Sequence, residues 1–481
     1  MNAVCFYFQV HQPFRLSKNF DFFSIGSSDH YEDDATNAQI ARKVADRCYL
    51  PTNQLILELI EKHQGKFRVS YSISGTALDQ FELYTPEVIE SFKKLSATGC
   101  VEFLSETYYH SLASLFSEKE FKVQVQLHQQ KIKSLFGQES KTFRNTELIY
   151  NNYIANMAQE LGFKTILAEG ADRILGWKSP NFVYHPPQNP NMSLLLKNYQ
   201  LSDDIAFRFS DRQWKEWPLT AEKFSGWVHQ VAGQGDVVNL FMDYETFGEH
   251  QWKETGIFEF LRHLPEKILS HPDFAFLTPS EVTQSFKPVA ELDIPDLVSW
   301  ADIERDVSAW LGNPLQDSAA KYIFGLEEKV LATQDEKLIH AWRKLQTSDH
   351  FYYMCIKWYN DGDVHKYFNP YESPYDAFIH YQNAVHQVRW YAEELANQQA
   401  QQLSQKTKLE PMTKVKSISK AKEKVTTKVK LKSSEKMAEK TEEKSLQASP
   451  KKNKFAKKTT FKRDRTEPIN VIETFLSPHI S

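Results

Sequence analysis

The sequence predicts an α/β protein built on a β/α barrel, and three observations predict it. Short β-rich apolar runs alternate with amphipathic helical stretches from residue 3 to about 280, the pattern of parallel strands joined by crossover helices. About eight such runs occur, enough to close a ring. Nearly every run is followed by polar or ionisable residues, and in β/α barrels the chemistry is carried on the C-terminal strand ends and the loops after them.

In chain order the runs are VCFYFQV, FRVSYSIS, VEFLS, TFRN, TILAE, IAFRF, VVNLFM and FAFLT. Helices are expected between most of them. Asn53 to His63 places Leu55, Leu57, Leu59 and Ile60 at helical spacing, and Asn151 to Leu161 does the same with Ile154, Met157, Ala158 and Leu161. The strand ends read HQP from His11, SGT from Ser74, SETYYH from Ser105, NTE ending at Glu147, EG from Glu169, RFSD from Arg208 and DYETFGEH from Asp243. Any one of these is explained by helix capping. Imidazoles and carboxylates at the same end of successive strands are not.

The barrel is assigned to residues 1–290. Residues 291–397 lose the strand pattern and read as a helical subdomain, with DSAAKYIFGLEEKVLA, DEKLIHAWRKLQTSDHFYYMCIKWY and YDAFIHYQNAVHQVRWYAEELA as its long segments. Its aromatic residues, Trp300, Trp310, Phe351, Tyr352 and Tyr353 among them, are core candidates, and an aromatic wall beside a barrel mouth also suits stacking on pyranose rings. Residues 398–481 form a Lys-rich tail that is expected to be mostly disordered, because Lys, Glu, Ser, Thr and Gln cannot bury enough surface to offset the entropy of ordering.

Composition excludes several classes. The 481 residues are 41% hydrophobic, which supports a sizeable core, yet no run reaches the ~20 apolar residues that span a bilayer. Val4 to Val10 lacks the basic segment and cleavage site of an export signal, and four scattered cysteines give neither a disulfide framework nor a zinc cluster, so a reducing cytoplasm is expected. From Gln401 onward there are 21 Lys and Arg against 9 Asp and Glu, whereas the whole chain is net -4. The folded body is therefore acidic, which argues against nucleic acid as its ligand. The sequence names no partner for the basic tail.

Glycosidic hydrolysis needs one carboxyl that donates a proton to the leaving oxygen and one carboxylate that meets the anomeric carbon. Glu147, after TFRN, and Asp243, after the apolar VVNLFM, are the candidates, and burial behind five apolar residues would raise the Asp243 pKa towards that of an acid/base. Competing acids are Glu102, Glu106, Glu169, Asp172, Asp203, Asp204, Glu245 and Glu249. His11 and His110 would donate hydrogen bonds to a sugar hydroxyl or to the nucleophile. A Gly-rich phosphate loop, GxSxG and HExxH are all missing. A metal site built from His11, His110 and nearby acids is the alternative chemistry.

The order of motifs, HQP, then GCVEFLSETYYHSL, FRNTELIY and FMDYETFGEH, resembles glycoside hydrolase family 57. ERDVSAWLGNP and LQTSDHFYYM look like that family's helical segment closing over the barrel, so the resemblance covers about residues 1 to 395. It implies an incomplete (β/α)7-type barrel, with one of the eight runs outside the ring, and no cofactor. It implies Glu147 as nucleophile, Asp243 as acid/base, and His11, His110, Asp349 and Trp310 near the substrate. The motifs look most like the α-amylase members, acting on starch, glycogen or maltooligosaccharides with retention of configuration. That outcome predicts carboxyls about 5 to 5.5 Å apart. The same family includes 4-α-glucanotransferases and branching enzymes, and a non-catalytic glucan-binding protein is the remaining alternative.

Overall fold

The computed structural model describes residues 1–28, 30–357 and 369–429, with side chains described as far as residue 404. Ten strands are described: β1 (Asn2–Val10), β2 (Val69–Ile73), β3 (Val101–Phe103), β4 (Thr142–Arg144), β5 (Thr165–Glu169), β6 (Tyr184–His185), β7 (Ser193–Lys197), β8 (Val237–Asp243), β9 (Phe274–Phe276) and β10 (Ala290–Glu291).

Seven of these form a parallel ring in the order β1, β2, β3, β4, β5, β7, β8, closing back on β1. Two seams lack a full ladder. Between β3 and β4 the contact is a single parallel bridge, Ser105 to Phe143. Between β7 and β8 the buried Asn239 substitutes for a ladder: its Nδ2 donates to Leu196 O at 2.9 Å and its carbonyl accepts from Asn198 N at 2.9 Å. An incomplete barrel of the (β/α)7 type is the result. β9 lies outside the ring against the start of β1, while β6 and β10 extend the β7 side.

One expected strand is elsewhere. IAFRF, predicted as a strand, falls on the helix Tyr199–Ala206 and its C-terminal end, and SLLLK at β7 takes the strand position. The Asn198 side chain accepts from Leu201 N at 3.1 Å and starts that helix. A five-residue apolar run carries too little periodicity to separate the two states, so the cap and the neighbouring strand decide. RFSD is consequently not a strand end.

Strand alternation divides the interior. In β1, Val4, Phe6, Phe8 and Val10 face the surrounding helices, whereas Ala3, Cys5 and Tyr7 face inward with Leu167, Leu195 and Phe241. Along the same inward parity the last positions become polar: Gln9, Ser72, Arg144, Glu169, Lys197 and Asp243. The barrel is thus apolar at its base and ionisable at its C-terminal end.

The helices after residue 290, Pro314–Phe324, Glu327–Ala332, Glu336–Lys344 and Ser348–Tyr352, do not form a core of their own. Trp310, Ile323, Trp342, Phe351 and Tyr381 share one cluster with Phe143, Ile166 and Leu194 of the barrel, and residues Met1–Gln405 are one compact unit. The last helix runs Pro374–Val429 and so extends past residue 398. Ala, Gln, Lys and Glu are good helix formers even where they cannot build a core. The block from residue 451 to 463 and the apolar stretch from residue 469 to 476 lie outside the described residues.

Candidate active site

The two candidate carboxylates come together with the motif histidine of β1. Glu147 and Asp243 line one cleft at the C-terminal end of the barrel with His11, Gln12, Glu245 and Asp349, and Arg15, His250 and Tyr353 complete its walls. Asp243 is the last residue of β8. Glu147 follows β4 by three residues, and its backbone is left-handed (φ 57°, ψ 26°), as is that of Leu148 (φ 51°). For a residue with a Cβ this costs roughly 1 to 2 kcal/mol, so surrounding contacts must hold it.

They do so from three directions. Trp300 Nε1 donates to Glu147 Oε2 at 2.7 Å and Ser348 Oγ donates to Oε1 at 3.0 Å. His110 Nε2 stands 3.4 Å from Oε1. The backbone joins in, with Trp300 N donating to Glu147 O at 3.2 Å. Glu147 is 3% exposed, and these donors reach its carboxyl from within the protein.

His110 is itself held by Glu106, its Nδ1 lying 2.6 Å from Oε2. Burial pushes this imidazole down, but the Glu106 and Glu147 carboxylates outweigh it and hold the ring as imidazolium, up to about 9. Burial likewise pushes Glu106 up, and His110, with Arg144 and His128 behind it, overrides that and keeps it ionised. Ser72 Oγ at 2.6 Å and Gln9 Nε2 at 3.1 Å donate to its other oxygen. His11 stacks on His110 with ring centroids 4.0 Å apart and bridges Ser74 Oγ (2.7 Å) to Asp349 Oδ2 (2.8 Å). Burial, then the neighbouring His110 charge, lowers the His11 pKa.

Glu245, two residues past Asp243, is hydrogen-bonded by the Tyr49 hydroxyl. Burial, reinforced by the Asp243 charge, pushes it up to about 8, so at neutral pH it is a neutral acid beside Asp243.

Of the other expected site residues, Trp310 is not brought to the cleft. It is fully buried in the core shared by barrel and helices, against Tyr352. The tryptophan that reaches Glu147 is Trp300, which aromatic composition alone could not separate from its neighbours. Its indole also lies 4.8 Å from the Arg144 guanidinium and 5.5 Å from Lys197 Nζ, centroid to cation. Ser348 was equally missed, although it stands in the TSDHFYYM segment beside Asp349. Among the described residues no group of three or more His, Cys, Asp or Glu side chains is disposed to hold a metal ion.

A parallel β/α barrel with two carboxylates in a cleft at its C-terminal end is the architecture of a barrel glycosidase. The chain belongs to glycosyl hydrolase family 57, whose model matches residues 5–295. It is 45% identical over 403 residues, 82% of this chain and 85% of the relative, to a Methanocaldococcus jannaschii protein named "Putative alpha-amylase". In fold it is similar to the 4-alpha-glucanotransferase of Thermococcus litoralis (TM-score 0.57, 16% identity, 73% of this chain and 56% of that one). It is similar also to the branching enzyme of Pyrococcus horikoshii (TM-score 0.56, 14% identity, 74% and 85%).

Proposed function

We propose that this glycosidase hydrolyses α-1,4-glucans with retention of configuration, in the manner of an α-amylase. The observation that carries the reading is the environment of Glu147: a buried carboxylate beside a cationic histidine, with two further donors, in one cleft with Asp243. The relative named for amylase activity supports the substrate class.

In the first half-reaction Glu147 attacks the anomeric carbon while Asp243, in the form of the Asp243–Glu245 pair that carries the proton on Asp243, gives that proton to the leaving glycosidic oxygen. A glycosyl ester on Glu147 and a shortened glucan result. In the second, Asp243 takes a proton from water, the hydroxide displaces Glu147, and the sugar leaves with its original configuration. The His110 imidazolium, 3.4 Å from Glu147, places a positive charge beside the carboxylate that returns when Glu147 leaves in the second half-reaction. His11 and Asp349, already hydrogen-bonded, present polar atoms to sugar hydroxyls.

Incubation of soluble starch and maltoheptaose with wild type, Glu147→Ala and Asp243→Ala in the presence of chelator tests this. Short maltooligosaccharides from wild type, and a loss of about a thousandfold or more in both variants, are expected. Longer and shorter products together would make the enzyme a glucanotransferase, loss of activity in chelator would favour a metal-dependent hydrolase, and binding without turnover would leave a glucan-binding protein.

A further inference from the structure

The loop that leaves β8 serves two cavities. Asp243, Glu245 and His250 face the catalytic cleft, while Gly248 and Trp252 line a separate groove of ≈ 1060 Å3 between this loop and the helices on the β1 side of the barrel. Its volume lies just above the roughly 300 to 1,000 Å3 typical of small-molecule sites. Trp252 is 54% exposed there, a large indole left in water on an otherwise charged surface.

The groove is built rather than incidental. Gly248 (φ +113°) lies so close to the Arg47 carbonyl that a Cβ would sit 2.1 Å from it, so only glycine lets the loop form this wall. Gln251 fixes the backbone just before Trp252: its carbonyl accepts from Gly248 N at 2.9 Å and its buried side chain donates to Ala206 O at 2.8 Å. The backbone that leads into Trp252 is therefore anchored on both its own loop and the neighbouring helix end. Pro51, Leu55 and Phe258 give an apolar floor.

The rim decides the class of ligand. Asp46, Glu254 and Glu259 are matched by Arg47, Lys253 and Arg262, and Arg262 already pairs with Glu58 at 3.1 Å and Glu259 at 3.4 Å. A rim of balanced sign gives no field to attract a polyanion, which excludes nucleic acid on the grounds that phosphate binding needs a basic surface. Paired carboxylates and guanidinia do suit the vicinal hydroxyls of a neutral sugar, and a flat indole over an apolar floor suits the C–H face of a pyranose ring.

We propose that the Trp252 groove is a second, non-catalytic binding site for α-glucan chains, which holds polymeric substrate beside the cleft. The proposal rests on the α-glucan reading above. Because one short loop carries both Asp243 and Trp252, a chain seated in the groove lies next to the catalytic cleft.

The test uses affinity electrophoresis in gels containing glycogen or amylopectin, on a Glu147→Gln background that leaves the polymer undigested. Trp252→Ala in that background is expected to weaken retention roughly five- to tenfold, as for loss of a central aromatic anchor, and Trp252→Phe to restore most of it. In the active enzyme Trp252→Ala should raise KM for the polymer and leave kcat and KM for maltotriose within about twofold. Unchanged retention in Trp252→Ala would overturn the proposal. So would a Glu147→Gln protein that no polymer retards while wild type still cleaves short maltooligosaccharides, an outcome that leaves the glycosidase standing. Trp252-dependent retention of a wild type that cleaves no α-glucan would sink the catalytic reading and uphold the groove.

Discussion

Glu147 occupies an unfavourable backbone conformation and a desolvated position, and what makes both tolerable is its set of donors. The 2.7 Å bond from Trp300 is charge-assisted, a type of bond that contributes roughly 1.5 to 3 kcal/mol. Trp300→Phe keeps the ring beside Arg144 and removes only that donor. The expected result is a fall in kcat of about 10- to 100-fold with little change in KM, measured on a defined maltooligosaccharide. Glu245 makes a second prediction, through pH. Its pKa is raised in the folded protein to about 8, above the ordinary 4.5, so the fold favours its protonated form. Above about pH 4.5 the unfolded chain releases this proton while the folded protein retains it, so the stability contributed by Glu245 is lost progressively up to about pH 8. Glu245→Gln removes that titration. Relative to wild type the variant should gain on the order of a few kcal/mol between pH 5 and pH 8.5, read from denaturant midpoints; a constant difference across that range would refute the assignment.

At the scale of elements, the segment that carries Trp300 is held by buried charges below the cleft. Arg305 reaches Glu169 at 3.1 Å and Asp203 at 3.4 Å, and its guanidinium stands 4.1 Å from the centre of the Tyr199 ring. Asp302 and Arg305 are both left-handed, so this turn too depends on its anchors. Arg305→Ala leaves Glu169, fully buried, with Lys197 at 3.8 Å as its nearest cation. Loss of one partner of a buried pair costs about 3 to 5 kcal/mol. Thermal unfolding should register that loss, and kcat should fall as the Trp300 indole shifts; unchanged kcat in a destabilised protein would show the anchor to be structural only. The misread strand belongs to this scale as well. SLLLK and IAFRF are both short apolar runs, and their states were settled by the Asn198 cap and by Asn239 reaching across to Leu196, contacts that no local window contains.

Across the whole molecule, barrel and C-terminal helices share a core, so they should unfold together. A chain ending at Gln405 should keep the melting temperature and the maltoheptaose activity of the full chain, because residues Met1–Gln405 form one compact unit. A large drop in either would give the Lys-rich segment a structural role. The His110 pair acts at this scale too. Its imidazole is raised from 6.5 to about 9, so its stabilisation is complete below about pH 6.5 and is lost as pH rises through about 9. Glu245 and His110 thus both make the fold weaker towards alkaline pH.

The sequence by itself determined the barrel, seven of its eight proposed strands, and the strand ends after which His11, His110, Glu147 and Asp243 follow. It could do so because strand alternation and the polar strand ends are local patterns, and a parallel barrel brings all its C-terminal ends to one face. Only the tertiary structure decided which tryptophan serves the site. Trp300 and Trp310 are ten residues apart and chemically identical; the turn anchored by Arg305 sends the first to Glu147, and packing against Tyr352 buries the second. The ionisation of Glu106, His110 and Glu245 was likewise beyond the sequence, since each depends on burial and on charges that come together only when distant strands close into the ring.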